Sequence, residues 1–218
     1  MQCSKCKNEA IVFQPYSGQH LCRDHFIADV EAKARRAIRI NQWMRPYDHI
    51  GVVARGDPAG NALLFFLRKL TGNRKDIRVS EIPLTEDLPG LSKRAHEAGV
   101  TRLARATPLE DAAASALTGI LRGEAEACFP DASHIQDRIQ EITPFSHIPA
   151  REIDQYSQIF GLGGDTGVLP QETDPLSTDV KAMLTDYSRR HPAAPYAVLN
   201  LCEALAALHR ADDKRSPK

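Results

Sequence analysis

Cys3, Cys6, Cys22 and His25 are the residues whose types and spacing speak most directly of chemistry. A Cys-x2-Cys pair, fifteen intervening residues and a Cys-x2-His pair set two chelating turns against each other. Two thiolates from one turn, with a thiolate and an imidazole from the other, complete the tetrahedron that zinc favours. Because protein fills all four positions, the expected zinc is structural rather than catalytic. A segment this short cannot bury enough surface to fold alone, so the metal must supply the stability, about 10–16 kcal/mol apparent in comparable peptides. His20 competes as a ligand but does not fit the Cys-x2-His turn. Reduced thiols without metal are the bland alternative. An iron–sulfur cluster is not expected, because a histidine such as His25 is an unusual fourth ligand for one.

The chain has five cysteines, an odd number, and Lys5, Lys7, Asn8 and Glu9 break up the apolar stretch a secretory leader needs, so a disulfide framework is the poorer expectation for the first three. Cys202 lies on an apolar helical face with Leu199, Leu205 and Leu208 and is expected to be a small core hydrophobe. Cys128 falls in a loop-like stretch, where a plain structural role is expected. His49, His96, His134, His147 and His191 form no chelating pair at helical spacing and are expected at the surface or at caps.

The elements that must position these residues follow from periodicity. Residues 1–27 read as a metal-stapled knuckle with short strands around the turn Tyr16 to Gln19. A helix from about Asp24 to Met44 follows, with apolar Phe26, Val30, Ala34, Ala37, Ile38 and Trp43, and Pro46 ends it. His49 to Ala54 reads as a buried strand, followed by a Gly- and Pro-containing loop from Arg55 to Gly60. Asn61 can cap the apolar helix that comes next. Strands over 77–82 and 100–105 alternate with helices over 89–97 and 109–121. That β-α-β-α-β-α order implies a parallel sheet with right-handed crossovers. A short strand near Ile139 to Ile142, a helix over 149–160, a Gly-rich loop to Asp174 and helices over 174–191 and 195–211 complete the chain.

Of the 218 residues, 42% are hydrophobic and 26% charged, which is ordinary for a globular protein with a real core. Lys plus Arg balances Asp plus Glu, so net charge identifies no polyanionic partner. No apolar run approaches the roughly 20 residues that span a bilayer, so no membrane role is expected and a cytoplasmic location is. Lys33, Arg35, Arg36 and Arg39 form one basic group, and Arg68, Lys69, Arg74, Lys75 and Arg78 another. Each can be an RNA-contacting surface or a solvated face, and thin aromatic interleaving favours the solvated face.

The knuckle joined directly to the run from Tyr16 to Phe26 resembles the N-terminus of tRNA 2-thiolation enzymes of the TtuA and cytosolic thiouridylase type. These belong to the PP-loop ATP pyrophosphatase superfamily. Later landmarks keep the family's order. Leu103 to Ala112 resembles its segment A-T-G-H-N-L-D-D-E-A, Leu121 to Glu124 its L-R-G-D, and Ile142 to Glu152 the stretch leading to its "I-P-E-x-E" helix. The resemblance implies an α/β Rossmann-like fold of PP-loop (HUP) type, here with a shortened sheet. It divides the chain into a zinc knuckle (1–27), a linking helix (28–47), a degenerate PP-loop domain (48–165) and C-terminal helices (166–218).

The departures bear on function. Where the family has the phosphate cradle S-G-G-K-D-S, this chain has Arg55, Gly56, Asp57, Pro58, Ala59 and Gly60. Pro58 removes an N–H donor and stands in place of lysine, while Asp57 puts negative charge where phosphates should sit. Arg55, Gly56, Gly60 and Asn61 are what remains as a candidate nucleotide loop. A β-α unit with the family's catalytic Cys-x2-Cys and a third cysteine near Leu169 and Pro170 are missing, so the sulfur-transfer cluster cannot be assembled as in the family. The preferred reading is a zinc-holding pseudoenzyme that has lost ATP and magnesium, acting as an accessory protein that binds tRNA or pairs with an active full-length paralogue, as homo- or heterodimer. The alternatives are an enzyme with altered nucleotide use, in which Arg55 replaces the lost lysine, and a zinc-stabilised protein–protein module.

Overall fold

The computed structural model describes residues 1–54, 56–83, 88–124, 139–164 and 174–213. Two short antiparallel strands, β1 (Val12–Gln14) and β2 (Gln19–Leu21), pair Val12 with Leu21 and Gln14 with Gln19. The turn between them passes through Gly18 at φ +67°, where a side chain would be strained. Helix α1 (Arg23–Ile40) follows at once, burying Phe26, Val30, Ala34, Ala37 and Ile38 along one stripe. It stops four residues short of the expected Met44. The N–H groups of Asn41 and Trp43 turn back to the carbonyls of Ala37 and Ile38, Gln42 adopts φ +52°, and Trp43 folds into the core. Local capping, not Pro46, ends this helix.

The sheet is built from β3 (His49–Ala54), β4 (Arg78–Pro83), β5 (Arg102–Ala104) and β6 (Gln140–Ile142), all parallel, in the order β4-β3-β5-β6. Helices α2 (Pro58–Thr71), α3 (Leu88–Glu97) and α4 (Leu109–Arg122) alternate with these strands. The strand near Ile142 is therefore the fourth member of the sheet and not an appendage to it. On one face Ile50 and Val52 pack with α1, α2 and α5 (Ala150–Ile159); on the other Val53, Ile82 and Leu103 pack with Leu91 and Ala95 of α3. The layers are helix, sheet, helix, as a buried parallel sheet requires. Gly51 makes the second face possible. A Cβ there would lie 2.8 Å from Ile82 Cγ1 and 2.9 Å from Val100 Cγ2.

Helices α6 (Pro175–Arg190) and α7 (Ala194–Asp213) both pack on α4, around Leu109, Ala113, Leu184 and Leu199. Cys202 is buried in this second cluster, but it is disulfide-bonded and not the plain core hydrophobe expected of it. Cys128 and His134 lie outside the described residues. His147 is neither at the surface nor a cap: it is mostly buried beside Glu203, 3.2 Å away. Asn61 does not cap α2. Asp57 occupies the N-cap and Pro58 the first helical position, where its fixed φ and missing N–H cost nothing. No helix among the described residues is long and apolar enough to cross a membrane.

Candidate metal centre and the cavity at the sheet's switch point

Cys22 is the N-cap of α1 and His25 stands in its first turn, so the three-residue spacing puts both on one face of the helix. Cys3 and Cys6 flank a tight turn tied down by Cys3 N–H to Asn8 O and Ser4 N–H to His20 O, at 2.9 and 2.7 Å. The four ligand atoms lie within 4.8 Å of one another. Cys6 Sγ is 3.6 Å from Cys22 Sγ, and His25 Nδ1 is 3.3 Å from Cys22 Sγ and 3.5 Å from Cys3 Sγ. Ligands about 2.3 Å (sulfur) and 2.0 Å (nitrogen) from one tetrahedral ion stand roughly 3.5–3.8 Å apart, so the set fits a single cation. His20 is not part of it; its ring stacks on Phe13 at 4.6 Å.

The electrostatics agree. Burial pushes the Cys3 thiol up, but backbone hydrogen bonds at Cys22, Lys5 and Cys6 outweigh it and bring the thiol down to about 6. At Cys6 the backbone at Asn8 favours the thiolate, yet burial and the crowding sulfurs of Cys22 and Cys3 leave its pKa raised. Neighbouring sulfurs cannot all ionise unless a cation joins them. This is a Cys/His cluster suited to metal binding.

The knuckle is clamped to the α/β body by a buried polar network. Lys33 of α1 reaches Asp29 at 2.7 Å, Glu152 at 3.1 Å and the Tyr16 hydroxyl at 2.5 Å, and that hydroxyl donates to Glu152 at 2.6 Å. Gln14 donates to Asp29 at 2.8 Å. Glu152, at 1% exposure, is the hub. Burial, and then the carboxylate of Glu152, hold Tyr16 protonated far above the ordinary phenol range. Lys69, Arg35 and the Tyr156 hydroxyl converge in the same way on buried Glu31. Of the two basic groups in the sequence, Lys33, Arg35, Lys69 and Arg74 are thus committed to ion pairs, while Arg36, Arg39, Arg68, Lys75 and Arg78 are exposed.

A second candidate site lies where strand order reverses, between the carboxyl ends of β3 and β5, the place where open α/β sheets bind ligands. A cavity of about 460 Å³ opens there. Of the four residues of the expected loop, only Gly60 lines it, and Asp57 lines it beside Gly60. Gly56 is exposed at φ +72°, Asn61 donates to the carbonyl of Gly163 at 2.9 Å, and Arg55 lies outside the described residues. The 163–164 backbone crosses so near that a side chain at Gly164 would collide with the carbonyl of Gly56. The cavity's cations, Arg105 and Lys181, were missed by sequence reasoning, because nothing in their local pattern shows that α6 and the end of β5 meet there. Both are paired: Lys181 with Asp111 at 2.5 Å, and Arg105 with Glu141 at 2.9 Å.

Residues 2–27 match the family model described as 2-thiouridine synthetase TtuA, N-terminal LIM domain. The tRNA 2-thiolation protein NcsA of Haloferax volcanii is 54% identical over 39 residues, 18% of this chain and 12% of that protein. The cytoplasmic tRNA 2-thiolation protein 1 of Drosophila willistoni is 34% identical over 67 residues, 31% of this chain and 20% of that one. The matched segments thus span a fifth or less of these curated relatives. Among solved structures, the U34-tRNA thiolase NcsA from Methanococcus maripaludis, with its 4Fe–4S cluster, superposes with a TM-score of 0.78 at 14% identity. That match covers 95% of this chain and 87% of the thiolase, and at such identity it speaks for the fold alone. The start of the chain is thus similar to the N-terminal LIM domain of the TtuA 2-thiouridine synthetases, and the chain as a whole has the fold of the thiolase.

Proposed function

We propose that this chain is a zinc-stapled accessory member of the family that no longer carries out ATP-dependent sulfur transfer and works in the cytoplasm by binding tRNA or an active relative. One observation carries the reading: the cations of the cavity in the nucleotide position are already taken up by carboxylates. Asp57 stands at the helix N-terminus that should receive a phosphate, Pro58 withholds an N–H, and Lys181 and Arg105 are engaged by Asp111 and Glu141. Phosphoryl chemistry rests on donors and cations aimed at the phosphates, and removing one such donor typically costs about 10²–10³-fold. None of the described residues lining the cavity is a cysteine.

Zinc is the proposed occupant of the knuckle. The single-ion spacing of its four ligand atoms supports zinc over a cluster, whose ligands are spread over several irons and stand further apart. Cys3, Cys6, Cys22 and His25 would hold it, and it would supply folding energy, not a reaction. For tRNA, the exposed Arg36, Arg39, Arg68, Lys75 and Arg78 are the available phosphate contacts.

Calorimetric titration of ATP with magnesium into the metal-loaded protein tests the reading, with ADP as comparison. The expected result is no saturable heat at millimolar nucleotide. Saturable binding abolished by Arg55→Ala would overturn it in favour of a rebuilt nucleotide enzyme. Elemental analysis of the purified protein should give one zinc per chain, and iron with visible charge-transfer absorption would reject the zinc assignment.

A further inference from the structure

The turn that leads into β3 carries a tyrosine where its geometry favours glycine. The Asp48 N–H returns to the carbonyl of Arg45 at 3.3 Å, Pro46 and Tyr47 lie between them, and Tyr47 adopts φ +68°. Proline first and a positive φ second make this a type II turn, in which a side chain at the second place is strained. The strain is held from several sides. The buried Asp48 carboxylate accepts from the Arg45 N–H at 2.7 Å and from the Thr101 hydroxyl at 2.9 Å. The Tyr47 N–H itself donates to the carbonyl of Asp76 at 2.8 Å. The ring contributes nothing to the fold in return: it is 86% exposed and makes no hydrogen bond or ring contact among the described residues. Strained residues that their surroundings hold in place cluster at ligand clamps.

The surroundings of the ring indicate which ligand. Its bond to Asp76 joins Tyr47 to the segment before β4, and the Arg78 N–H is bonded to the carbonyl of Asp48 at 3.0 Å. Arg45, Arg74, Lys75 and Arg78 are therefore its neighbours along the chain or across this pairing, and all four are exposed. The two nearby carboxylates are taken: Asp76 by Arg74 at 2.6 Å, and Asp48 by Arg102 at 3.4 Å. Arg45, Lys75 and Arg78 make no ion pair among the described residues. An open aromatic face among free cations suits a polyanion whose repeating unit also carries a flat ring, which is a nucleic acid strand. A protein hot spot sits instead in a desolvated core depleted of lysine. The patch stands at the amino ends of β3 and β4, on the order of 20 Å from the cavity at their carboxyl ends.

We propose that Tyr47 is a stacking platform for an unpaired base of RNA, with Arg45, Lys75 and Arg78 against the flanking phosphates. The platform rests on the RNA-binding reading above and deepens it. Cations alone accept any polyanion, whereas Tyr47 selects unpaired over paired RNA, because only an unstacked base offers it a face. Strand pairing, not sequence proximity, brings Tyr47 beside Lys75 and Arg78, which is why the aromatic component of this patch was not legible before the fold was known. The site is independent of whether the cavity holds a nucleotide.

Fluorescence anisotropy on the full metal-loaded chain is the test. The labelled probes are an unpaired RNA of about 12 nucleotides, a fully paired RNA duplex of the same length, and unfractionated tRNA. Tyr47→Gly should weaken binding of the unpaired RNA at least about fivefold, as loss of one stacked base does, and leave the duplex within about twofold of the parent. Its salt dependence should not change, because no phosphate contact is lost. Arg78→Ala should weaken all three probes and flatten the slope against salt by about 0.7 for the unpaired strand. Tyr47→Phe keeps the ring and should bind as the parent does. Because glycine relieves the turn, the melting midpoint of Tyr47→Gly should not fall. Unpaired RNA held equally by the parent and Tyr47→Gly, but lost by Arg78→Ala, would overturn the platform and leave RNA binding standing. A parent that binds none of the probes would overturn the RNA reading itself, and a lowered midpoint in Tyr47→Gly would assign the ring to the fold.

Discussion

The knuckle and the switch-point cavity are both places where this fold gathers polar atoms, and they do so in opposite ways. In the knuckle, sulfurs and an imidazole crowd together without a countercharge of their own, and the arrangement is incomplete until a cation arrives. In the cavity both cations, Arg105 and Lys181, already have a carboxylate within 2.9 Å. An incomplete charge set advertises a ligand, whereas a self-neutralised one needs none. The contrast also explains why two sites in one scaffold can diverge so far. The knuckle's ligands fix the fold of the segment that bears them, so losing one unfolds it. The cavity's walls are held by helix packing that is indifferent to phosphate.

The largest expected effect tests the first half of that contrast. Cys22→Ser removes a ligand at the N-cap of α1, and stability of the knuckle supplied by metal, about 10–16 kcal/mol apparent in comparable peptides, should be lost to it. Metal content by elemental analysis should fall to zero, and amide exchange over β1, β2 and the first turn of α1 should become fast while β3 stays protected. Retained protection at the knuckle would mean that packing, not metal, holds it.

Next in size is the clamp between the two regions. Glu152→Ala leaves the Tyr16 hydroxyl without its acceptor and Lys33 with Asp29 as its one carboxylate, which costs about 2 kcal/mol as for other buried polar groups left without a partner. Urea denaturation should show this loss. Removing Lys33 and Glu152 together should cost less than the two singles added, because their effects are coupled.

The cavity offers a gain of function instead of a loss. Replacing Asp57 and Asp111 by asparagine removes two negative charges and frees Lys181 from its partner. Because the Asp111–Lys181 pair is largely exposed, the fold should lose little, under about 1 kcal/mol. Affinity for pyrophosphate, measured by calorimetry, should rise at least about tenfold, or 1.4 kcal/mol. No gain would mean that the covering 163–164 backbone, rather than charge, excludes phosphate.

How far each region could be read from the sequence follows from the same contrast. Cys3, Cys6, Cys22 and His25 were legible because two short-range spacings carry the ligand set. Strand β3 and the ends of α3 and α4 were legible from apolar runs and from Gly99 and Gly123, both at positive φ. The cavity's composition was not. Lys181 meets Asp111 only through packing of α6 on α4, seventy residues apart in sequence. The N-cap of α2 was misplaced because Asn61 looked the better cap, while Pro58 at the first helical position set the true start. The length of α1 failed for a similar reason: burial of Trp43 and the turn at Gln42 override a helical pattern that continues past Ile40.

The smallest effect concerns the joint between the α/β body and α7, where His147 faces Glu203. Burial lowers the pKa of His147, and Arg36 and Lys33 push the same way, against the pull of Glu203. A histidine whose pKa is lower in the folded state binds fewer protons there than when unfolded. Stability is therefore constant above the unfolded value of about 6.5, declines as pH falls below it, and levels off once the folded group also titrates. The sign is opposite to that of a histidine held charged by an ion pair. His147→Gln should flatten this slope between about pH 7 and pH 5 in urea midpoints, by under about 1 kcal/mol. Glu203→Gln removes the one group that favours the charged form and should make the slope steeper. A flatter slope in Glu203→Gln would show that the ion pair, not burial, governs the joint, and that this third polar cluster follows the self-neutralised pattern of the cavity.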